Sequence, residues 1–267
     1  MSTGGGYDKV YGAFESELAQ QLRREALGDD EIGQQSWVTV AELKEAIANL
    51  RLGAHTRVLD LGCGAAGPLT FIVGAAGCRG VGIDVSAPAI EAGRARAAAL
   101  GVDRQVSLEQ ADLDSELPYE SRSFGAAIAI DAVLHVRDRA HLFREVARVM
   151  APGARFWFTD AAVVTGPMSN QECRDRFPFG YSQFVPAGFN ERTLEAAPMR
   201  ILDVQDRTSQ LAARANGRLG ARQAHRAELE LTEGHDAFES QRRYLEAVVA
   251  LAERGAMARM SYLTEAG

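Results

Sequence analysis

Three carboxylates and one imidazole in this 267-residue chain stand where chemistry could be done. Asp60 ends an apolar run and is followed at once by the glycine-rich turn Gly62-Cys63-Gly64-Ala65-Ala66-Gly67. Glycines there let the backbone turn tightly and come close to a ligand. Taken alone, the turn is a weak signal, because dinucleotide enzymes share it. Asp60 narrows it. A carboxylate at that point would sit badly beside a pyrophosphate and well beside an ammonium group. Asp84 ends a second apolar run, 24 positions after Asp60, about where a parallel sheet brings an acid to a ribose. Asp112, between Ala111 and Leu113, follows a third run and can reach the amino group of an adenine. His135 follows a fourth and is the best candidate for a general base.

Ammonium, ribose and adenine subsites without a phosphate clamp describe S-adenosylmethionine. The elements around the acids fit that reading. Arg57–Leu61, Gly80–Asp84, Val106–Gln110, Phe124–Ile130 and Ala154–Asp160 read as strands. Between them, 67–75, a segment from Ser86 to Leu100, and His141–Met150 read as helices, with Gly101 stopping the second. This rhythm predicts an α/β fold, a doubly wound, mostly parallel sheet with helices on both faces. Open sheets of this kind bind ligands at the carboxyl ends of their strands, where all three acids lie.

Upstream, Val10, Phe14, Leu18 and Leu22 give one helix an apolar stripe, with Gly28 as its cap. Thr39 and Glu42 have the spacing of a capping box and open a second helix, which Gly53 ends. Downstream, 163–189 is rich in Gly, Pro and aromatic residues and reads as an irregular insertion with a short helix near Gln171. A strand returns at 200–206, a polar helical stretch runs from 208 to about 252, and 258–264 closes the chain as a strand. We therefore expect a helical lid over residues 1–40 and one catalytic domain over 41–267. Within it, 163–190 and the helical 208–252 segment would cover the substrate.

The stretch from Val58 to Asp160 resembles the core of the class I S-adenosylmethionine-dependent methyltransferases. The matching pieces are Val58-Leu59-Asp60-Leu61-Gly62-Cys63-Gly64, Asp84, Ala111-Asp112-Leu113, Asp131 to Val136, and Arg148 to Gly153. The resemblance implies a Rossmann-like sheet of seven strands whose last strand is antiparallel. It implies cofactor contacts from Asp60, Gly62, Gly64, Asp84 with its neighbour Val85, Asp112 with Leu113, and Asp131. Ala66 departs from it, since many relatives carry glycine there, and we expect only a slight change in the loop. The segment Asp30 to Trp37 looks like the N-terminal element of small-molecule enzymes of the sarcosine and dimethylglycine type. It carries over Gln34 and Tyr11 as contacts, while Trp37 reads as a packing residue of the lid.

Transfer of a methyl group from a sulfonium needs alignment and exclusion of water more than strong acid–base help. His135 is offered as base, and Tyr181 as a second catalytic candidate. Tyr181, Phe177, Phe179 and Phe184 would line an apolar or cation-binding pocket. Arg174, Arg176 and Arg192 would meet an anionic group on the acceptor. The acceptor is expected to be a small molecule, of the kind methylated in secondary metabolism. Competing readings are an RNA, DNA or protein methyltransferase, a nicotinamide-dependent oxidoreductase, and a module that binds the cofactor without turnover.

Bulk properties agree. The net charge of −7 disfavours a nucleic-acid partner. No apolar run reaches the roughly 18 residues that span a bilayer, and Met1 to Gly6 do not resemble a signal peptide. Three scattered cysteines and five histidines show no metal-ligand spacing, so no metal is expected, and the cysteines fit a cytoplasmic protein. Helical lids of this type are compatible with a homodimer.

Overall fold

Apolar residues at every fourth position from Val10 to Leu22 predict one helix. The computed structural model, which describes residues 4–176 and 181–267, divides it in two. α1 spans Gly4–Gly12 and α2 spans Glu17–Leu27. Ser16 explains the break: its hydroxyl accepts from the Ala19 backbone N–H and caps α2 afresh. Gly28 closes α2 at φ 56°, a positive value that glycine takes without strain. α3 (Val40–Asn49) starts on the expected reciprocal capping box of Thr39 and Glu42. It stops short of Gly53, because Arg51 already turns to φ 55° and leads the chain out.

The core follows the expected rhythm: β1 (Arg57–Leu61), α4 (Gly67–Ala76), β2 (Arg79–Asp84), α5 (Ala87–Ala99), β3 (Val106–Gln110) and β4 (Phe124–Ile130). Asp138 accepts from the His141 N–H and starts α6 (Arg139–Val149) earlier than the apolar pattern suggested. β5 (Met150–Val164) overruns the expected strand at both ends. The insertion holds the expected short helix, α7 (Asn170–Asp175), and two elements that its sequence did not announce, β6 (Val185–Pro186) and α8 (Phe189–Ala196). β7 (Met199–Asp206) comes next. The long helical stretch is three helices, α9 (Thr208–Ala224), α10 (Arg226–Glu233) and α11 (His235–Glu253), with Gly234 at φ 89° separating the last two. β8 (Met257–Ala266) closes the chain.

The strands lie in the order β3-β2-β1-β4-β5-β8-β7, and β6 adds a short eighth strand on β5. β1 to β5 pair in parallel, while β8 runs antiparallel to both β5 and β7. The last strand is thus antiparallel, as the resemblance implied. β4 is buried along nearly its whole length, which is why it reads as an unbroken apolar run. One face of the sheet packs Phe143, Phe156, Phe158 and Tyr262, with rings of Phe156, Phe158 and Tyr262 stacked at 5.0 and 4.6 Å. The other packs Val38, Leu43, Leu69, Ile72 and Trp157. Order reverses between β1 and β4, and that switch opens the crevice in which the acids gather.

Helices roof the crevice. α2 crosses α9 so closely that a Cβ on Gly217 would stand 2.5 Å from the Ala26 carbonyl oxygen. α1 packs on α5, and Trp37 packs among Leu211, Ala215, Leu245 and Val248. A buried ionic cluster ties roof to sheet. Arg259, in β8, donates to Asp131 at 2.9 Å and to Glu42 at 2.6 Å. Asp131 also accepts from the Trp37 N–H and the Thr159 hydroxyl, each at 2.8 Å. All of these groups are buried, so losing one partner leaves an uncompensated charge. Arg259→Met is expected to lower unfolding free energy by about 3–5 kcal/mol. Urea unfolding would show a lower midpoint at unchanged slope. An unmoved midpoint would show that the cluster does not hold the fold.

Candidate active site

The glycine turn leaves β1 with Gly62 at φ 74° and Gly64 at φ 54°, and the N–H groups of Gly62 and Cys63 both donate to the Ile83 carbonyl. What crowds these glycines is the protein itself. A Cβ on Gly64 would meet the Tyr11 hydroxyl at 2.3 Å, and one on Gly67 would meet the Ile32 carbonyl at 2.4 Å. Ala66, the departure from the family pattern, also sits in the left-handed region, at φ 57°. The turn keeps a glycine-like path there at a strain of about 1–2 kcal/mol.

Above the turn lies a cavity of about 1110 Å³. Every residue singled out from the sequence as a cofactor contact lines it: Asp60, Gly62, Gly64, Asp84, Val85 and Asp112 from the sheet side, with Leu113, Asp131, Gln34 and Tyr11. Their states differ. Asp60 is buried and takes no hydrogen bond from any described residue. Burial, with Asp84 close by, pushes its carboxyl up to about 8. Asp84 accepts from the Gly64 and Ser86 N–H groups, each at 2.9 Å, while burial raises its pKa. Asp112 is exposed at the rim and accepts from the Asp114 N–H.

Two expected contacts are committed to the protein. Both carboxylate oxygens of Asp131 are taken by the cluster above, and its backbone is held at φ 52°. Gln34 accepts from the Ile32 N–H and donates to the Asp30 carbonyl, so its amide shapes the lid loop. Tyr11 is half-buried with its hydroxyl against Gly64. Burial, with Asp84 and Cys63 nearby, raises its pKa well above the usual phenol range.

His135 lines the cavity beneath α1. Tyr7 brings its hydroxyl within 2.7 Å of Nδ1 and 2.9 Å of Nε2. The Tyr181 carbonyl oxygen lies 3.0 Å from Nδ1. Burial lowers the imidazole pKa, and Arg176 adds to this, so the ring is neutral near pH 7. Tyr181 was read as a catalytic side chain, but its contact with His135 is through the backbone and its ring is 39% exposed. Phe184 lines the cavity; Phe177 and Phe179 fall outside the described residues. Among the three arginines, Arg176 lines the cavity, whereas Arg174 binds Gln171 at the surface and Arg192 lies beside Gly188.

Sequence reasoning missed Tyr7, Arg218 and Tyr244, which also line the cavity. They come from α1, α9 and α11, whose placement over the sheet has no local signal. The one available hint was Tyr7 standing one helical turn before Tyr11 on the same face.

Residues 58–153 match the family model described as a methyltransferase domain. The 27-O-demethylrifamycin SV methyltransferase of Amycolatopsis mediterranei (strain S699) is 35% identical over 163 residues, which are 60% of this chain and 59% of that protein. The sarcosine/dimethylglycine N-methyltransferase of Halorhodospira halochloris is 29% identical over 199 residues, 71% of this chain and 66% of that protein. The chain therefore spans about three-fifths to two-thirds of the length of these curated relatives. In fold, it superposes on the cyclopropane synthase of Mycobacterium tuberculosis with a TM-score of 0.81 at 15% identity, covering 98% of each chain. The glycine turn, the acids at three strand ends and the matched segment agree, and residues 58–153 are similar to a methyltransferase domain.

Proposed function

We propose that this chain transfers a methyl group from S-adenosylmethionine to a small-molecule acceptor, leaving S-adenosylhomocysteine. The observation that carries this is Asp60: a buried carboxylate without a partner, at the glycine turn, where a nicotinamide cofactor would bring a pyrophosphate. An ammonium group satisfies it and a phosphate does not. Asp84 would take the ribose hydroxyls with the oxygen lone pairs its two N–H donors leave free. Val85 and Leu113 would flank the adenine, and Asp112 would accept from its amino group. Gly62 and Gly64 would let the ligand approach the backbone, and Tyr11 would close over it. Asp131 and Gln34 would act by holding the lid in place rather than by direct contact.

The bound cofactor supplies an electrophilic methyl carbon. The acceptor's lone pair forms the new bond as the sulfur–carbon bond breaks, so the chain must align the acceptor and exclude water. A proton on Nδ1 of His135 satisfies the Tyr181 carbonyl and leaves Nε2 to accept from the Tyr7 hydroxyl, 2.9 Å away, which would in turn take the acceptor's proton as it passes its own to the ring. The Tyr7 ring also meets the imidazole edge-on, with centroids 5.1 Å apart. Tyr181 would serve through its carbonyl. The acidic balance argues against a nucleic-acid acceptor. Three free cysteines fit a cytoplasmic setting, and no described helix is long and apolar enough to cross a membrane.

Calorimetric titration with S-adenosylmethionine, S-adenosylhomocysteine and NADH tests this reading. Binding of the first two alone is expected; binding of NADH alone would overturn it. The proton balance gives a second test. Below about pH 8 the free Asp60 holds a proton, and pairing with an ammonium ionises it. Binding at pH 7 is therefore expected to release a proton, and affinity to rise from pH 6 toward 7.5. Titrations in two buffers of different protonation enthalpy read this directly; no release would remove Asp60 from the ammonium role. Asp84→Ala should weaken cofactor binding by more than about 1 kcal/mol. His135→Ala should leave cofactor affinity intact and slow turnover by about 10²-fold or more. Full turnover in that variant would sink the base assignment.

A further inference from the structure

The walls of the cavity are sorted by charge. Asp60 and Asp84 stand on the side of the strand ends. Across from them, the lining contributed by the insertion and the roof carries four guanidinium groups; Arg23 and Arg222 pair with Glu31 and Glu233, which leaves Arg176 and Arg218. Neither is within ion-pair distance of a described Asp or Glu. Arg218, on α9, donates to the Gln35 and Ser36 carbonyls at 2.8 Å each and lies over the Trp37 ring at 4.6 Å. Those bonds anchor the lid loop, so its contribution to the cavity is mainly positive charge. Burial lowers its pKa to about 10, which still leaves it charged at neutral pH.

Arg176 is different. It is only 5% exposed. Its Nη2 donates to the Ala161 carbonyl at 2.9 Å, and its Nε reaches only the Met257 sulfur, at 3.3 Å. A thioether is a weak acceptor. The remaining terminal nitrogen, Nη1, meets no acceptor among the described residues. The guanidinium lies over the Tyr244 ring at 5.3 Å, and Tyr244 packs on Trp37 at 6.3 Å. Arg176, Tyr244, Trp37 and Arg218 thus form a continuous cationic and aromatic wall. Burying a guanidinium without an acid is expensive unless an anion arrives to meet it. The surroundings of Arg176 hold its plane rigid, the condition for two-point recognition of a carboxylate. His135 stands within reach of its field.

We propose that Arg176, supported by the charge of Arg218, binds a carboxylate on the acceptor, so that the substrate is a small organic acid. The site is bipartite: a cationic cofactor on the acid side and an anionic acceptor on the arginine side, its nucleophile beside His135. This rests on the methyltransferase reading above, and the test separates the two.

The test is saturation-transfer NMR on the full chain saturated with S-adenosylhomocysteine. The probes are small aryl and aliphatic carboxylates, each paired with its own primary amide. Some acids are expected to bind about tenfold or more tightly than their amides, the scale of a charge-assisted hydrogen bond. Arg176→Gln should abolish that preference while leaving S-adenosylhomocysteine affinity within about twofold, which also shows that the variant is folded. Arg176→Lys, which keeps the charge and loses the planar fork, should restore only part of the preference. If Arg176→Gln does not fold, the acid–amide comparison on the unaltered chain and on Arg176→Lys decides. Equal binding of acids and amides, binding of no acid, or a preference that survives in Arg176→Gln would each overturn the proposal. Failure to bind S-adenosylhomocysteine would instead overturn the methyltransferase reading.

Discussion

Asp131 is the point on which the rest of the structure hangs. Its carboxylate joins the end of β4 to β8 through Arg259, to β5 through Thr159 and to the lid through the Trp37 N–H. Through Arg259 it also reaches Glu42 at the start of α3. Five segments distant in sequence thus meet at one buried charge cluster, directly beside the cavity. Such a cluster is weak evidence for stability, because desolvation offsets much of its attraction. Its value here is register. It ties the loop at Trp37 and the start of α3 to the strand ends, beside the cavity.

The sheet and the acids were legible because they are local. Asp60 and Asp84 end apolar runs whose burial marks them as strands, Asp112 follows the alternating edge strand β3, and strand ends are where parallel sheets expose side chains to ligands. The caps at Thr39 and Ser86 were legible for the same reason: a hydroxyl and a backbone N–H three residues on. The roof was not. The stripe from Val10 to Leu22 keeps its period across a real break, since hydrophobic spacing does not register a new N-cap at Ser16. Val185 and Pro186 are too short a strand to leave a pattern. Tyr7, Arg218 and Tyr244 reach the cavity only through the way three distant helices cross, and spacing within each helix does not encode that. Asp131 was legible as a cavity residue but not as a tie, because its partners lie 94 and 128 positions away in sequence.

Charge is partitioned within the cavity in a way composition hides. The chain is acidic overall, yet Arg176 and Arg218 stand in the cover of the cavity without acids, and Asp60 and Asp84 stand at the strand ends without bases. Each half is unfavourable alone. Together they shape a field that runs from the roof to the strand ends. A cation is favoured on one side and an anion on the other, which orients a polar acceptor before any contact forms.

The first helix rests directly on the glycine turn. Tyr11 lies against Gly64, Tyr7 on His135, and Asp8 accepts from the Ser86 hydroxyl at 2.8 Å. These are a handful of polar contacts, each worth about 1 kcal/mol net. α1 is thus held on the turn as a door is held by a light catch: breaking these contacts costs only a few kcal/mol.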